Sequence, residues 1–97
     1  MAYDPGALDS TLAAVVGDDP ALAAELRAAF VDSASAALAN MQTCAVPGDW
    51  IEMAHRMKGL AASFGALRLM AAADEAVAAP PGDPALLRRM DRIIGGF

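Results

Sequence analysis

Two aspartate–proline pairs, Asp19-Pro20 and Asp83-Pro84, constrain the fold of this chain more than any other feature of its sequence. An aspartate caps the first free amides of a helix, and proline has the fixed φ and missing N–H that suit the first helical position. Each pair therefore predicts that a helix begins at its proline. Apolar residues follow both prolines at spacings of three and four, the period of an amphipathic helix. The chain is therefore expected to be helical.

Breaks between the helical patterns divide the chain into five predicted helices. Pro47-Gly48-Asp49 predicts a turn that ends in a helix cap, Gly65 predicts a helix end, and Pro80-Pro81-Gly82 predicts a sharp break. The expected helices span residues 7–16, 20–42, 50–63, 66–79 and 84–95. The last four have lengths suited to packing through short loops. The expected fold is therefore all-α: an antiparallel four-helix bundle with a short additional N-terminal helix.

The composition agrees with one helical domain. A chain of 97 residues allows one hydrophobic core, so residues 1–97 are expected to form a single domain. Hydrophobic residues make up 57% of the chain and charged residues 20%, which favours a folded domain over a disordered one. Much of the apolar content is alanine, leucine and methionine, which favour helix over strand.

Charge and apolar patterning exclude several classes of protein. The formal net charge of −5 argues against nucleic-acid binding, which needs clustered lysine and arginine, because the chain has only seven such residues. No stretch reaches the roughly 18 uninterrupted apolar residues of a membrane helix, and the first residues lack the basic start and apolar run of a secretion signal. The single Cys44 cannot form an internal disulfide and is expected to be buried or half-buried. We therefore expect a cytoplasmic protein without a membrane segment.

The only histidine, His55, is the main candidate functional residue. Five apolar side chains of its helix fall within a narrow arc that is expected to face the core. They are Trp50, Met53, Met57, Leu60 and Phe64. Because His55 lies almost opposite this arc, it is expected to be exposed. The usual explanation of a lone histidine, a structural role in the core, therefore does not apply.

The outer face around His55 is unusual for a solvated helix, because it offers Ile51, Gly59 and Ala62 where charged residues are expected. This composition predicts a docking surface. Glycine in a helix interior costs about 1 kcal/mol relative to alanine, so Gly59 needs a compensating advantage. Either Gly59 ends the helix, or it lets another protein's active site come close to His55.

Charged residues near His55 add a second indication. Lys58, three residues on, can bring its ammonium to an anionic group on the imidazole, and would stabilise a phosphoryl group through a charge-assisted hydrogen bond. Arg56 projects about 100° away, at a rim where it could touch an acidic partner. Glu52 is the only acid within one turn in the sequence. We therefore predict that Ile51, Glu52, Arg56 and Ala62 contact a partner, and that His55, Lys58 and Gly59 form the reactive centre.

The string Ala-His-Arg-Met-Lys-Gly-Leu-Ala-Ala-Ser-Phe-Gly-Ala, residues 54–66, resembles the signature of histidine-containing phosphotransfer (HPt) domains. The match includes the histidine, lysine and glycine at their offsets, the Gly65 turn and Leu69, and the chain length and helix count agree. The resemblance implies a four-helix bundle whose exposed histidine accepts a phosphoryl group from the phosphoaspartate of one receiver domain and passes it to another. His55 matches that histidine, Lys58 the family's cation and Gly59 its gap.

The sequence differs from the HPt pattern at two points. The segment before Asp19 is shorter than in many relatives, and Leu60 stands where small residues are common after the glycine. Leu60 belongs to the predicted core arc, so we expect little effect from it. A shorter first segment could change the choice of partner.

The resemblance implies a phosphoryl carrier rather than an enzyme, and the chain shows no P-loop or glycine-rich nucleotide motif. A neutral imidazole can attack phosphorus without a recruited base. The carboxylate cluster that holds Mg²⁺ is expected from the receiver domain, so no cofactor of the chain's own is predicted. The expected partners are response-regulator receiver domains and a (hybrid) histidine kinase. A monomer is expected, with self-association through Ala23, Val31 and other alanine-rich faces as the alternative.

The main alternative function is a binding-only helical bundle that holds a kinase or receiver domain as an inhibitor or scaffold. A metalloenzyme or hydrolase fits poorly, because one histidine and one cysteine cannot supply three or four metal ligands, and Cys44 has no second histidine for a dyad. No metal site is therefore predicted.

Overall fold

The computed structural model describes residues 6–44 and 46–97, and this part of the chain contains five α-helices and no strand. The helices are α1 (Gly6–Val16), α2 (Pro20–Thr43), α3 (Pro47–Ser63), α4 (Leu67–Ala78) and α5 (Pro84–Gly95). The predicted all-α class is confirmed, and every helix except α3 begins and ends within one residue of its prediction. Residues 1–5, on which the prediction about secretion rested, lie outside the described residues.

The caps predicted at the two aspartate–proline pairs are both present. The carboxylate of Asp19 accepts a hydrogen bond from the amide of Leu22 at 3.0 Å, and Pro20 is the first residue of α2. The carboxylate of Asp83 accepts from the amides of Ala85 and Leu86 at 3.1 and 3.4 Å. Each cap satisfies amides that have no partner within the helix.

The predicted beginning of α3 was wrong by about one turn. The helix begins at Pro47, and the amide of Trp50 donates to the carbonyl of Val46 at 3.0 Å. Pro47 occupies the first helical position, where its missing N–H costs nothing. Asp49 is therefore not the cap but an acid inside the first turn, where its charge is favoured by the helix dipole.

The predicted helix end at Gly65 is confirmed. Gly65 has a φ of 68°, in the left-handed region that favours glycine. The amide of Ala66 donates to the carbonyl of Ala61 at 2.9 Å, and that of Gly65 donates to Ala62 at 3.2 Å, which together form a Schellman motif. Because α3 continues to Ser63, Gly59 lies inside the helix and does not end it.

Helices α2 to α5 contact one another in a closed ring: α2 packs on α3 and α5, and α4 also packs on α3 and α5. Helix α1 packs on α2. The buried apolar side chains form one cluster that draws on every helix. Within it, the ring of Phe30 stacks on Phe64 at a centroid distance of 4.8 Å and meets Phe97 edge-on at 5.3 Å. None of the described helices is long and apolar enough to cross a membrane.

The most extensive interface, between α3 and α4, is lined by small side chains. The buried residues of these two helices are Trp50, Ala54, Met57, Ala61, Leu69, Ala72, Ala73 and Ala76. The indole N–H of Trp50 donates to the carbonyl of Ala76 at 2.8 Å, which satisfies the one polar group of this large buried side chain. Alanines let the two backbones approach closely, so the helices are held together without charged contacts in the core.

The buried face of α3 is centred about 50° from the predicted arc, at 100° per residue. Trp50 and Met57 are fully buried as predicted, but Met53, Leu60 and Phe64 are only partly buried. Ala54 and Ala61, which the prediction did not include, are fully buried instead. This rotation brings Lys58 closer to α4 and leaves Gly59 pointing almost directly away from the core.

Cys44 is half-buried, as expected, and its thiol donates to the carbonyl of Val46 at 3.4 Å.

Candidate functional site

His55 lies on the outer face of α3 and is exposed, as predicted. The helix is anchored on its other side by fully buried Trp50, Ala54 and Met57. Within the described part of the chain, the imidazole makes no hydrogen bond or ion pair. An exposed imidazole without a partner is available to react with a group that approaches from solvent.

Gly59 lies one turn beyond His55 on the same face and is also exposed. A Cβ atom placed on Gly59 would meet no atom within 4 Å, so the packing of this chain does not require glycine at this position. The backbone of Gly59 is helical and needs no left-handed conformation. The cost of glycine in a helix therefore has no compensation within the chain, and its effect is an open surface beside the imidazole.

Lys58 projects toward α4 and binds a residue that the sequence analysis did not identify. Its ammonium donates a hydrogen bond to the carboxylate of Asp74, with 2.8 Å between Nζ and Oδ1. The side chains keep 42% and 65% of their surface exposed, so the pair lies at the surface between the two helices.

The charges of this pair are coupled to the histidine. The hydrogen bond from Lys58 lowers the pKa of Asp74 below its usual value of 3.8, and the positive charge of Lys58 lowers it further. The charge of a protonated His55 makes a smaller contribution in the same direction. Asp74 therefore lies within electrostatic reach of the imidazole, and His55, Lys58 and Asp74 form one cluster.

Glu52, the acid nearest to His55 in the sequence, does not belong to this cluster. Its carboxylate lies 3.5 Å from the guanidinium of Arg56, one turn along α3. Both side chains are largely exposed, and such a pair contributes little to stability. The sequence analysis correctly placed Glu52 and Arg56 on the surface but missed the acid that contacts Lys58.

The four residues predicted to contact a partner are all exposed: Ile51, Glu52, Arg56 and Ala62. Ile51 keeps 40% of its surface exposed although its helix packs tightly through the opposite face. Ile51 and Ala62 provide apolar surface on the same side of α3 as His55. The charged pair of Glu52 and Arg56 lies on the other flank.

A shallow groove runs between α2 and α3 beside this surface and has a volume of about 350 Å³. It is lined by Ser33, Ala36, Ala37, Asn40, Met53 and Arg56. The residues that α2 contributes were not predicted, because the pattern of α3 alone does not show what packs beside it. The small exposed residues at spacings of three and four in α2 were the available signal.

The cluster was also compared with the requirements of a metal centre. Among the described residues, no three histidine, cysteine, aspartate or glutamate side chains are grouped so that they could hold a metal ion. The carboxylate in the cluster, that of Asp74, is hydrogen-bonded to a lysine. The chemistry that these residues offer is that of a nucleophilic imidazole beside a cation.

Comparison of this chain with models of known protein families, with curated proteins and with solved structures finds no match.

Proposed function

We propose that this chain is a histidine phosphotransfer protein of a two-component phosphorelay. It accepts a phosphoryl group on His55 from the phosphoaspartate of a receiver domain and passes it to another response regulator. One observation carries the proposal: an exposed imidazole, to which no described residue forms a hydrogen bond, shares its helix face with the Lys58 ammonium and the open surface at Gly59. The resemblance of residues 54–66 to the HPt signature supports the same assignment.

The transfer step uses the outer ring nitrogen of His55. The lone pair of Nε2 attacks phosphorus, the bond from phosphorus to the aspartate oxygen breaks, and its electron pair returns to the carboxylate. The proton on Nδ1 stays in place, so the neutral imidazole becomes a phosphorylated imidazolium. In the onward step, a carboxylate oxygen of the second receiver attacks phosphorus, and the electron pair of the N–P bond returns to Nε2.

The neighbours of His55 contribute binding and access rather than proton transfer. The Lys58 ammonium interacts with the phosphoryl oxygens through charge-assisted hydrogen bonds. The missing side chain at Gly59 lets the receiver domain bring its aspartate to the short distance that in-line attack requires, roughly 3–3.5 Å between the reacting atoms. Ile51 and Ala62 provide the apolar contact, and Glu52 and Arg56 lie at its rim. The receiver domain supplies Mg²⁺ through its own carboxylates.

The finer fold proposed with this function is an antiparallel four-helix bundle of α2–α5, with α1 as an additional helix. The closed ring of contacts and the short connections between successive helices support it. Such a bundle holds α3 rigidly by its inner face and presents the opposite face to partners. We propose a cytoplasmic location, because a phosphorelay that draws on ATP operates where nucleotides are abundant. We also propose that the protein acts as a monomer.

The test is phosphorylation of the purified protein by a phosphorylated receiver domain with Mg²⁺. The intact protein is expected to gain an acid-labile, base-stable phosphate, and a His55→Ala variant is expected to gain none. His55 is exposed and forms no hydrogen bond with the described part of the chain, so this variant is expected to fold normally, as circular dichroism would verify. An Arg88→Ala variant, changed at an exposed residue of α5, serves as the control and should be labelled like the intact protein.

The same experiment distinguishes the alternative function. If several receiver domains bind measurably but none labels the intact protein, the carrier proposal is wrong. A non-catalytic inhibitor or scaffold for a kinase or receiver domain would then explain the apolar face around Ile51 and the groove beside Arg56.

A further inference from the structure

We propose that Asp74 is a positioning residue that competes with the phosphoryl group on His55 for the Lys58 ammonium, and so makes the phosphohistidine pass its phosphoryl group on more readily. This inference rests on the proposed function. It assigns a role to a residue of α4 that lies outside the signature in α3. Its basis is the arrangement of Lys58, Asp74 and His55 at the surface between the two helices.

The geometry places Lys58 between two anions once His55 is phosphorylated. In the unphosphorylated protein the ammonium donates to Asp74 at 2.8 Å, and no described residue bonds to the imidazole. Lys58 lies three residues from His55, so the two side chains share a face of α3. A phosphoryl group on the imidazole therefore enters the space that Lys58 can reach while Asp74 still holds the ammonium.

The electrostatic consequence is a less stable phosphohistidine. An ammonium shared with a carboxylate neutralises less of the phosphoryl charge than an ammonium that binds the phosphoryl group alone. The carboxylate itself also repels the phosphoryl dianion, and groups this close are not fully screened, since the Debye length is about 8 Å at physiological ionic strength. Asp74 therefore shifts the equilibrium from phosphohistidine toward the phosphoaspartate of the receiver.

The fold does not need Asp74 for this interface. The two helices are joined by buried alanines and by the hydrogen bond from Trp50 to the carbonyl of Ala76, whereas the Lys58–Asp74 pair is largely exposed. The next residue, Glu75, forms a similar exposed pair with Arg89 of α5. Glu75 therefore offers a matched control: an adjacent acid, in the same helix, paired with a base that is not beside His55.

The first experiment measures how phosphoryl groups are shared between the protein and a receiver domain at equilibrium. Asp74→Asn is expected to raise the ratio of phosphohistidine to phosphoaspartate roughly threefold, the size of effect that one exposed charge contact gives. Glu75→Gln should leave the ratio unchanged, and Asp74→Glu should restore the wild-type ratio. An Asp74→Asn ratio equal to that of wild type overturns the inference.

The same measurement in a Lys58→Met protein shows whether Asp74 acts through Lys58. In a Lys58→Met protein the ammonium is absent, so only the direct repulsion remains and Asp74→Asn should raise the ratio by a clearly smaller factor. An equal increase with and without Lys58 would show that Asp74 does not act by competing for the ammonium. Thermal unfolding of all variants verifies that the ratios refer to folded protein.

A chemical donor separates this inference from the proposed function. With phosphoramidate, Nε2 of His55 attacks phosphorus, the P–N bond of the donor breaks, and ammonia leaves with the electron pair, without any partner protein. NMR of the phosphorylated protein is expected to show the Lys58 Nζ and Asp74 carboxyl signals shifting together, while the Glu75 carboxyl signal stays in place.

The NMR and transfer results together distinguish failure of this inference from failure of the proposed function. If the Asp74 signal does not move when His55 becomes phosphorylated, the inference is wrong even where receiver domains exchange phosphoryl groups with the protein. If both signals move but no receiver domain exchanges phosphoryl groups, the contact exists and the proposed function is wrong.

Discussion

At the scale of single residues, the surface of α3 shows a glycine that no packing contact requires, beside a histidine that forms no hydrogen bond with the described residues. Most surface positions of a helix favour residues of high helix propensity, and glycine is the least favourable choice apart from proline. At Gly59 a side chain would meet open space, so packing does not explain the glycine, and the proposed function attributes it to an external requirement, the access of a partner to His55.

This requirement predicts that stability and transfer respond in opposite directions at Gly59. Gly59→Ala should stabilise the fold by about 1 kcal/mol, because it removes the cost of a helical glycine without a clash. Gly59→Gln should also preserve or raise the midpoint of urea unfolding. Its longer side chain should nevertheless slow phosphoryl transfer from a receiver at least about tenfold, because small displacements of reacting groups have effects of this size.

Gly48 offers the matched control for this experiment. It also lies in α3 and also faces open space, on the same face as His55 but two turns earlier, about 10 Å along the helix axis. Gly48→Gln should leave the transfer rate unchanged. Equal slowing by both substitutions, or a Gly59→Gln protein that transfers at the wild-type rate, would show that access at Gly59 is not the reason for the glycine.

At the scale of helices, local signals predicted the ends of the elements, and tertiary packing decided their rotation. Asp19, Asp83 and Gly65 act within a few residues of their own positions, so their roles follow from the sequence alone. The beginning of α3 was missed because Pro47 was interpreted as part of a turn, although proline suits the first helical position equally well.

The rotation of α3 could not be found from one helix in isolation. Hydrophobicity alone predicts that Met53 and Leu60 are more deeply buried than Ala54 and Ala61. The buried face of α4 is rich in alanine, however, and small side chains of α3 fit best where the two helices come closest. Asp74 was also missed because the pattern of α3 alone does not show which residues of α4 lie beside it. A partial signal existed, because Lys58 and Asp74 are each eight residues from Ala66, beside the turn. In an antiparallel helix pair joined by a short turn, residues at equal distances from the turn lie at the same level along the pair.

The Lys58–Asp74 pair between α3 and α4 also predicts a pH dependence of stability. Because its pKa is lowered in the folded state, Asp74 contributes stability that is fully present well above its usual value of 3.8. That contribution is lost as the pH falls through the lowered folded-state value. Wild type is therefore expected to have a higher urea midpoint than Asp74→Asn at pH 7, and the two midpoints should converge near pH 2.

A Lys58→Met background provides the control for this pH dependence. The hydrogen bond and the charge of Lys58 are the main causes of the lowered pKa, so the difference should largely disappear without them. A difference between wild type and Asp74→Asn that is equal at pH 7 and pH 2 would contradict the assignment.

At the scale of the whole molecule, stability and reactivity depend on different sides of α3. The aromatic cluster of Phe30, Phe64 and Phe97 joins α2, the end of α3 and the last residue of the chain. His55 lies on the opposite side of α3, where it contributes nothing to this core. A change in the core should therefore alter how much protein is folded without altering the chemistry of each folded molecule.

Substitution at Phe30 tests this separation. Phe30 is 1% exposed, so Phe30→Ala is expected to destabilise the fold by about 3–5 kcal/mol, a large part of the stability of a small domain. The thermal midpoint should fall by roughly 15–30 °C. Leu22→Ala, at a residue of α2 that is 40% exposed, should lower it far less. Below its midpoint, Phe30→Ala should still accept phosphoryl groups at the wild-type rate per folded molecule, as stopped-flow transfer corrected for the folded fraction would measure. A lower rate per folded molecule would mean that the core and the histidine face are coupled, and that the position of His55 depends on more than α3 and α4.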